Sequence, residues 1–241
     1  MRYAVVSDVH SNIEALDAVF TSLRDDDALL CLGDTVGYGP NPNECVEQIR
    51  ARATATVLGN HDLAAINGFG LAYFNPAARE AMIWTQNVLT AQNRTWLDSL
   101  GYEFRMPDFL LVHGAPVKYF EYILNKDGAA RAFAATDAPL IFIGHTHIAE
   151  VYAQKPDGTI AHEHLQQGGE VKLLDGVRYL INVGSVGQPR DLNPRSSFGF
   201  YDSVARTVTI NRVEYPIARV QEKIVSAKLP DALARRLQVG R

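Results

Sequence analysis

The chain has 241 residues, 47% of them hydrophobic and 21% charged, with a formal net charge of −4. That is globular composition at a length suited to one large domain or two small ones. It excludes the basic balance of a general nucleic-acid or membrane-surface binder, but not a small phosphorylated substrate, which local cations can meet. The two cysteines, Cys31 in an apolar run and Cys45 in a helical stretch, read as packing residues in a reducing compartment. Arg2-Tyr3-Ala4-Val5-Val6 opens the chain without a leader of signal-peptide type. No apolar run approaches the ~20 residues of a membrane span. The expectation is a cytoplasmic protein with no membrane partner, either monomeric or a homo-oligomer.

In chain order, Tyr3 to Ser7, Ala28 to Leu32, Thr54 to Leu58, Phe109 to Val112 and Leu140 to Ile143 are short, near-continuous apolar runs. Such runs suit strands buried on both faces. Asn12 to Leu23, Asn43 to Arg50, Pro76 to Leu89 and Asn93 to Leu100 are amphipathic and predict helices, with Asn75-Pro76 a start signal. From Glu150 onward shorter alternating runs take over. Val151 to Gln154, the turn Pro156-Asp157-Gly158 and Thr159 to His164 predict a hairpin. Val171 to Leu174, Tyr179 to Val183, Phe198 to Asp202 and Val208 to Val213 predict further strands. Trp84 and Trp96 are expected in the core. The tail after Tyr215-Pro216 reads as helical, and Arg219, Lys223, Lys228, Arg235, Arg236 and Arg241 make it basic. A solvated face on a packed helix explains that charge; a partner-binding tail is the smaller alternative. Helices early and hairpins late imply an α/β (α+β) fold of two packed sheets flanked by helices, without a composition break that would divide residues 1–241.

The chemistry lies in the loops at the ends of the early strands. The first run leads into Asp8-Val9-His10, the second into Gly33-Asp34, the third into Gly59-Asn60-His61-Asp62, the fourth into His113-Gly114, and the fifth into Gly144-His145-Thr146-His147. Loops leaving the carboxyl ends of strands in an open α/β sheet converge on one rim. Five of the seven histidines lie in these loops. Singly, each motif is weak: a Gly-Asp pair is usually a turn, and His113 alone could be a core histidine. Together, so many carboxylates and imidazoles crowd one place that a metal is the natural counterweight.

Asp8, His10, Asp34, Asn60, His113, His145 and His147 form an oxygen and nitrogen set without thiolate. It suits Mn²⁺, Fe, Zn²⁺, Co²⁺ or Ni²⁺ better than Ca²⁺, and is richer in nitrogen than a dedicated Mg²⁺ site. Seven ligands are too many for one first-row ion and natural for two divalent metal ions that share a bridge, for which Asp34 is the candidate. The set looks open and catalytic rather than closed and structural.

These motifs resemble, in order and spacing, those of the calcineurin-like metallophosphoesterases, particularly the small single-domain phosphodiesterases of bacteria and archaea. Asn182-Val183-Gly184-Ser185-Val186-Gly187-Gln188-Pro189-Arg190 adds to the likeness. The resemblance implies a four-layer αββα sandwich and two ions, with Mn²⁺ the first choice. One ion would take Asp8, His10, Asp34 and His147, the other Asp34, Asn60, His113 and His145. It also implies that Asn60 lies at the substrate side, that His61 stays free of metal and faces the substrate, and that Asp62 orients His61.

Two cations ~3.5–4 Å apart would lower the pKa of a bridging water, and the resulting hydroxide would attack phosphorus directly. His61 is apt for protonating the leaving oxygen. Arg190 is a candidate phosphate clamp; the plainer reading is a surface arginine paired with Asp191. Tyr38 either borders the site or anchors its loop. His162 and His164 share one face of a strand and, lacking a further ligand nearby in sequence, read as exposed strand residues. The expected substrate is a small phosphorylated molecule, a nucleotide among the candidates. The expected activity is a phosphodiesterase; a phosphomonoesterase, a dinucleoside polyphosphate hydrolase and a non-catalytic interaction module are the alternatives. That last class would be expected to lose His61 or a ligand, and none is missing.

Overall fold

The early apolar runs become strands because layers cover both of their faces. In a computed structural model describing residues 1–241, the first part contains β1 (Arg2–Val6), α1 (Ile13–Phe20), β2 (Ala28–Cys31), α2 (Pro42–Arg52), β3 (Ala53–Thr56) and α3 (Asn60–Asn67). It continues with α4 (Pro76–Val88), α5 (Ala91–Asp98), β4 (Glu103–Arg105), β5 (Leu110–Val112), α6 (Lys126–Ala134) and β6 (Leu140–Ile143). Then come β7 (Ala149–Gln154), β8 (Ile160–His164), β9 (Gly169–Lys172), β10 (Arg178–Val183), β11 (Ser196–Asp202), β12 (Thr207–Val213), α7 (Ile217–Ser226) and α8 (Asp231–Leu237).

Two six-stranded sheets result, ordered β3-β2-β1-β11-β12-β9 and β4-β5-β6-β10-β7-β8. Each joins a parallel half to an antiparallel half. β1, β2 and β3 run parallel, as do β5, β6 and β10, while β11, β12, β9, β7 and β8 add antiparallel. The late hairpins therefore complete both sheets. Val5, Leu30 and Ala55 of the first sheet meet Leu111, Phe142 and Ile181 of the second in a core between them. On the outer face of the first sheet, Val6, Leu29 and Cys31 pack against α1, α2, α7 and α8. On the outer face of the second, Ile141, Ile143 and Leu180 pack against α6 through Ala129, Ala132 and Phe133. The layers are helix, sheet, sheet, helix. The apolar side of the tail, Val220, Ile224, Leu233 and Leu237, belongs to the first-sheet core. Its basic side is tied down as well, since Lys223 and Arg219 pair with Glu14 of α1 at 2.5 and 3.3 Å.

Local signals set several boundaries. Asn12 caps α1, its side chain accepting from Ala15 N at 3.1 Å, so that helix starts one residue after the expected Asn12. Asn75 caps α4 in the same way, with Pro76 at the first helical position. α5 starts at Ala91 rather than Asn93 because the Thr90 hydroxyl caps it. Trp84 and Trp96 are half-buried at the edge of the core rather than inside it. β4 and α6 were not legible: one is three residues long, and the other is a short helix rich in alanine.

Candidate metal centre

All five loops leave the carboxyl ends of parallel strands, three from one sheet and two from the other, so the two rims meet. Asp8 N donates to Gly33 O and His10 N to Asp34 O, both at 3.0 Å. His145 N donates across the sheets to Asp8 Oδ2 at 3.0 Å. Asp8, His10, Asp34, His145 and His147 all hold positive φ, between 48° and 67°. Left-handed backbone at such residues costs of order 1–3 kcal/mol each and persists only where its surroundings enforce it. The glycines let the loops close: a Cβ at Gly144 would collide with Ser7 Oγ, and one at Gly59 with Asp34 Oδ1.

Four imidazoles are oriented by backbone carbonyls. His10 Nδ1 donates to Val36 O at 3.0 Å, His147 Nδ1 to Gln188 O at 2.6 Å, His113 Nδ1 to Leu32 O at 2.8 Å and His145 Nε2 to Phe120 O at 3.1 Å. A carbonyl oxygen only accepts, so each of these nitrogens carries the ring proton. The remaining nitrogens face inward in pairs, His10 Nε2 to His147 Nε2 at 3.0 Å and His113 Nε2 to His145 Nδ1 at 3.0 Å. Asp8 Oδ1 lies 3.2 Å from His147 Nε2 and has no hydrogen-bond partner. Asp34 Oδ2 stands 3.6 Å from His10 Nε2 and 3.3 Å from His113 Nε2. Asn60 Oδ1 is 3.2 Å from His113 Nε2. All seven candidate ligands thus converge, with Asp34 between an Asp8–His10–His147 group and a His113–His145–Asn60 group. Each group fits a divalent cation: inward ring nitrogens face one another, and in the first group a buried carboxylate oxygen, Asp8 Oδ1, is orphaned.

The electrostatics agree. Burial opposes ionisation of Asp8 and Asp34, but the surrounding histidines, His147 foremost for Asp8 and His113 for Asp34, hold both below the ordinary carboxylate range. Burial and neighbouring imidazoles push His10 well down and His145 down to about 3, leaving neutral ligand nitrogens. His113 goes the other way. Burial, the largest single influence, lowers it, but Asp34, Asp8 and the Leu32 carbonyl together raise it to about 9, so a proton occupies this pair when no metal does.

His61 enters through the first turn of α3, its backbone N donating to Asp34 Oδ1 at 2.8 Å. Its ring lies among His10, Tyr38 and Phe74, with centroids 4.5–4.8 Å away. Burial lowers it to about 4, so it is neutral near pH 7. Asp62 does not orient the His61 ring. Its carboxylate accepts from Val36 N and Gly59 N, each at 3.1 Å, and fixes the loop instead, while His61 Nδ1 is unpartnered. Arg190 does not pair with Asp191, which is bound to Arg212. The Arg190 guanidinium is held by Gln188 Oε1 at 2.9 Å and Tyr38 OH at 3.2 Å. Tyr38 therefore borders the site, edge-on to His10 at 4.6 Å.

Two features escaped the sequence. Tyr122 stacks on His145 at 3.9 Å, although its loop carries no motif. His162 and His164 do have a third neighbour, Glu150, which the hairpin brings to them.

Together the layers and the site define a metal-dependent phosphoesterase, a hydrolase. Residues 1–204 match the model of the calcineurin-like phosphoesterase superfamily domain, and the chain belongs to that family. An uncharacterized protein of Methanocaldococcus jannaschii is 39% identical over 99% of this chain and 98% of its own length. The crystal structure of a metallophosphoesterase from Sphaerobacter thermophilus superposes with a TM-score of 0.90 at 41% identity, covering 100% of both chains. A hypothetical protein from Pyrococcus horikoshii shares the fold, with a TM-score of 0.78 at 16% identity over 100% of this chain and 98% of that one. Membership of the family implies divalent metal ions, which the His and Asp clusters could hold. No helix is long and apolar enough to cross a membrane.

Proposed function

We propose that the chain is a phosphodiesterase acting on a small phosphorylated substrate with two divalent cations. Asp8, His10, Asp34 and His147 would hold one, and Asp34, Asn60, His113 and His145 the other. A single observation carries this reading: Asp34 Oδ2, 3.6 Å from His10 and 3.3 Å from His113, stands between two inward-facing imidazole pairs. Cations bound there would neutralise phosphate oxygens and lower the pKa of water between them. The mixed nitrogen and oxygen donors suit Mn²⁺, Fe, Zn²⁺, Co²⁺ or Ni²⁺, and the likeness of the motif set makes Mn²⁺ the first choice among them. The two unpaired cysteines suit a reducing, cytoplasmic setting.

The chain's own groups do the rest. Arg190, braced by Tyr38 and Gln188, pairs with a phosphate oxygen. His61 is neutral without substrate and offers a ring N–H to the leaving oxygen; a phosphate anion beside it favours its protonation. Asp62 keeps the His61 turn in place through the backbone. The preference for diesters rests on the likeness of the motif set to the small single-domain phosphodiesterases. To test it, the Mn²⁺-loaded protein is assayed on bis-aryl phosphate, aryl monophosphate, cyclic nucleotides and dinucleoside polyphosphates. Diesters are expected to turn over fastest. Faster monoester hydrolysis would make the protein a phosphomonoesterase, and preference for the polyphosphate bridge would make it a dinucleoside polyphosphate hydrolase.

A further inference from the structure

Away from the centre, a second group of side chains has metal-ligand chemistry. β7 and β8 pair antiparallel, with Glu150 opposite His164 and Tyr152 opposite His162. The alternation of strand side chains turns all four to the outer face of the second sheet, where Tyr152 packs with α6. Glu150 Oε2 lies 2.8 Å from His162 Nε2, 3.6 Å from His164 Nδ1 and 3.2 Å from Tyr152 OH. The Glu150 residue is 3% exposed, whereas the His162 and His164 side chains are 20% and 61% exposed. A buried carboxylate thus forms the floor and two imidazoles an open rim. Tyr152 stacks flat on His162 at 4.2 Å with 3° between the planes, which holds that ring toward Glu150.

We propose that Glu150, His162 and His164 bind a Zn²⁺ ion separate from the catalytic centre. The three ligand atoms lie within 4.8 Å of one another. Ligands ~2.0–2.1 Å from a tetrahedral zinc stand about 3.3 Å apart. The observed 2.8 and 3.6 Å separations from Glu150 Oε2 bracket that value, and the exposed His164 side chain has room to turn toward an ion. Two imidazoles and one carboxylate, with a position left for water, are a donor set that zinc accepts, and their nitrogen content disfavours Ca²⁺ and Mg²⁺. The site is also tied to the catalytic loop. Glu150 pairs with Asn182 of β10, whose amide donates to Gly144 O at 2.7 Å and Thr146 Oγ1 at 2.8 Å, between the candidate ligands His113 and His147.

The test is a difference in zinc content, so it does not depend on how many ions the central residues hold. Tag-free parent and His162→Ala/His164→Ala proteins are dialysed to saturation with micromolar Zn²⁺ and analysed for metal. The parent should hold one zinc more than the variant, with unchanged circular dichroism. Equal zinc in the two proteins overturns the proposal. His164→Ala alone, at an exposed position, guards against misfolding and should raise the Kd of the extra zinc by at least about 10–100-fold, the loss already expected from groups behind a ligand. An unchanged Kd would overturn the proposal equally.

Discussion

His10 and His147 meet Nε2 to Nε2 at 3.0 Å, although each already uses its ring N–H on a backbone carbonyl. Two acceptor lone pairs at that distance repel unless a cation lies against them. His113 and His145 face each other at the same distance on the other side of Asp34, where a proton on His113 takes the cation's place in the metal-free protein.

Divalent cations should therefore stabilise the fold. Dialysis against a chelator is expected to lower the Tm, and added Mn²⁺ to restore it. At a hundredfold excess over Kd the gain is about 2.7 kcal/mol, or roughly 5–10 °C for a domain of this size. Elemental analysis of the Mn²⁺-loaded chain should saturate at about two ions. Saturation at one ion with activity intact would remove the shared carboxylate from the account.

The central position of Asp34 orders two substitutions. Asp34→Asn weakens a carboxylate facing both groups, while His10→Ala touches one. Turnover should fall further in Asp34→Asn, with greater loss of metal. Near-normal turnover and full metal content in Asp34→Asn would contradict the bridge.

His61→Ala should keep its metals, because the ring makes no hydrogen bond to a candidate ligand, and should lose only the packing of the buried ring against His10, Tyr38 and Phe74. Its turnover should fall by roughly 10²–10⁴, the contribution of a positioned proton donor. The loss should be smaller for p-nitrophenyl esters than for alkyl esters, since an acidic leaving group needs little protonation. An equal loss on both would leave His61 an electrostatic role only, and loss of a metal would make it a ligand.

Arg190→Ala removes the one guanidinium braced at the site by Tyr38 and Gln188. A charged hydrogen bond contributes about 1.5–3 kcal/mol, so kcat/KM should drop roughly 10–100-fold, mainly through KM. Tyr38→Phe removes only the brace and should cost less than about tenfold. Steady-state kinetics on one substrate decide between a clamp and a bystander.

The metal-free protein should lose stability on acidification. His61 and His145 have folded pKa values of about 4 and about 3, below the ordinary 6.5, and His10 lies well below it too. The native state then binds fewer protons than the unfolded one, so stability falls as pH drops below about 6.5, by up to ~1.4 kcal/mol per pH unit for each imidazole. His113 has the opposite sign. Raised to about 9, it contributes fully below about 6.5, and that contribution is lost as pH rises through 9. Thermal unfolding in chelator should therefore show a maximum near neutrality, and a Tm that rises steadily from pH 7 down to pH 4 would contradict these assignments.

Much of the centre was legible in the chain because polar groups directly after buried apolar runs have few places to go. Val6, Cys31 and Val112 are covered on both sides, so Asp8, Asp34 and His113 had to emerge at a strand end, and parallel strands send those ends to one rim. The helix and strand periods likewise carried most of the elements and the two-sheet plan. What only the tertiary structure decided are relations between distant segments. Asp62 bonds Val36 N rather than His61, Asp191 goes to Arg212 and so leaves Arg190 to Tyr38, and Glu150 joins His162 across a hairpin. Local pattern reports which face a residue occupies. It does not report which residue of another strand or loop faces it there, because that depends on register and packing across the whole sheet.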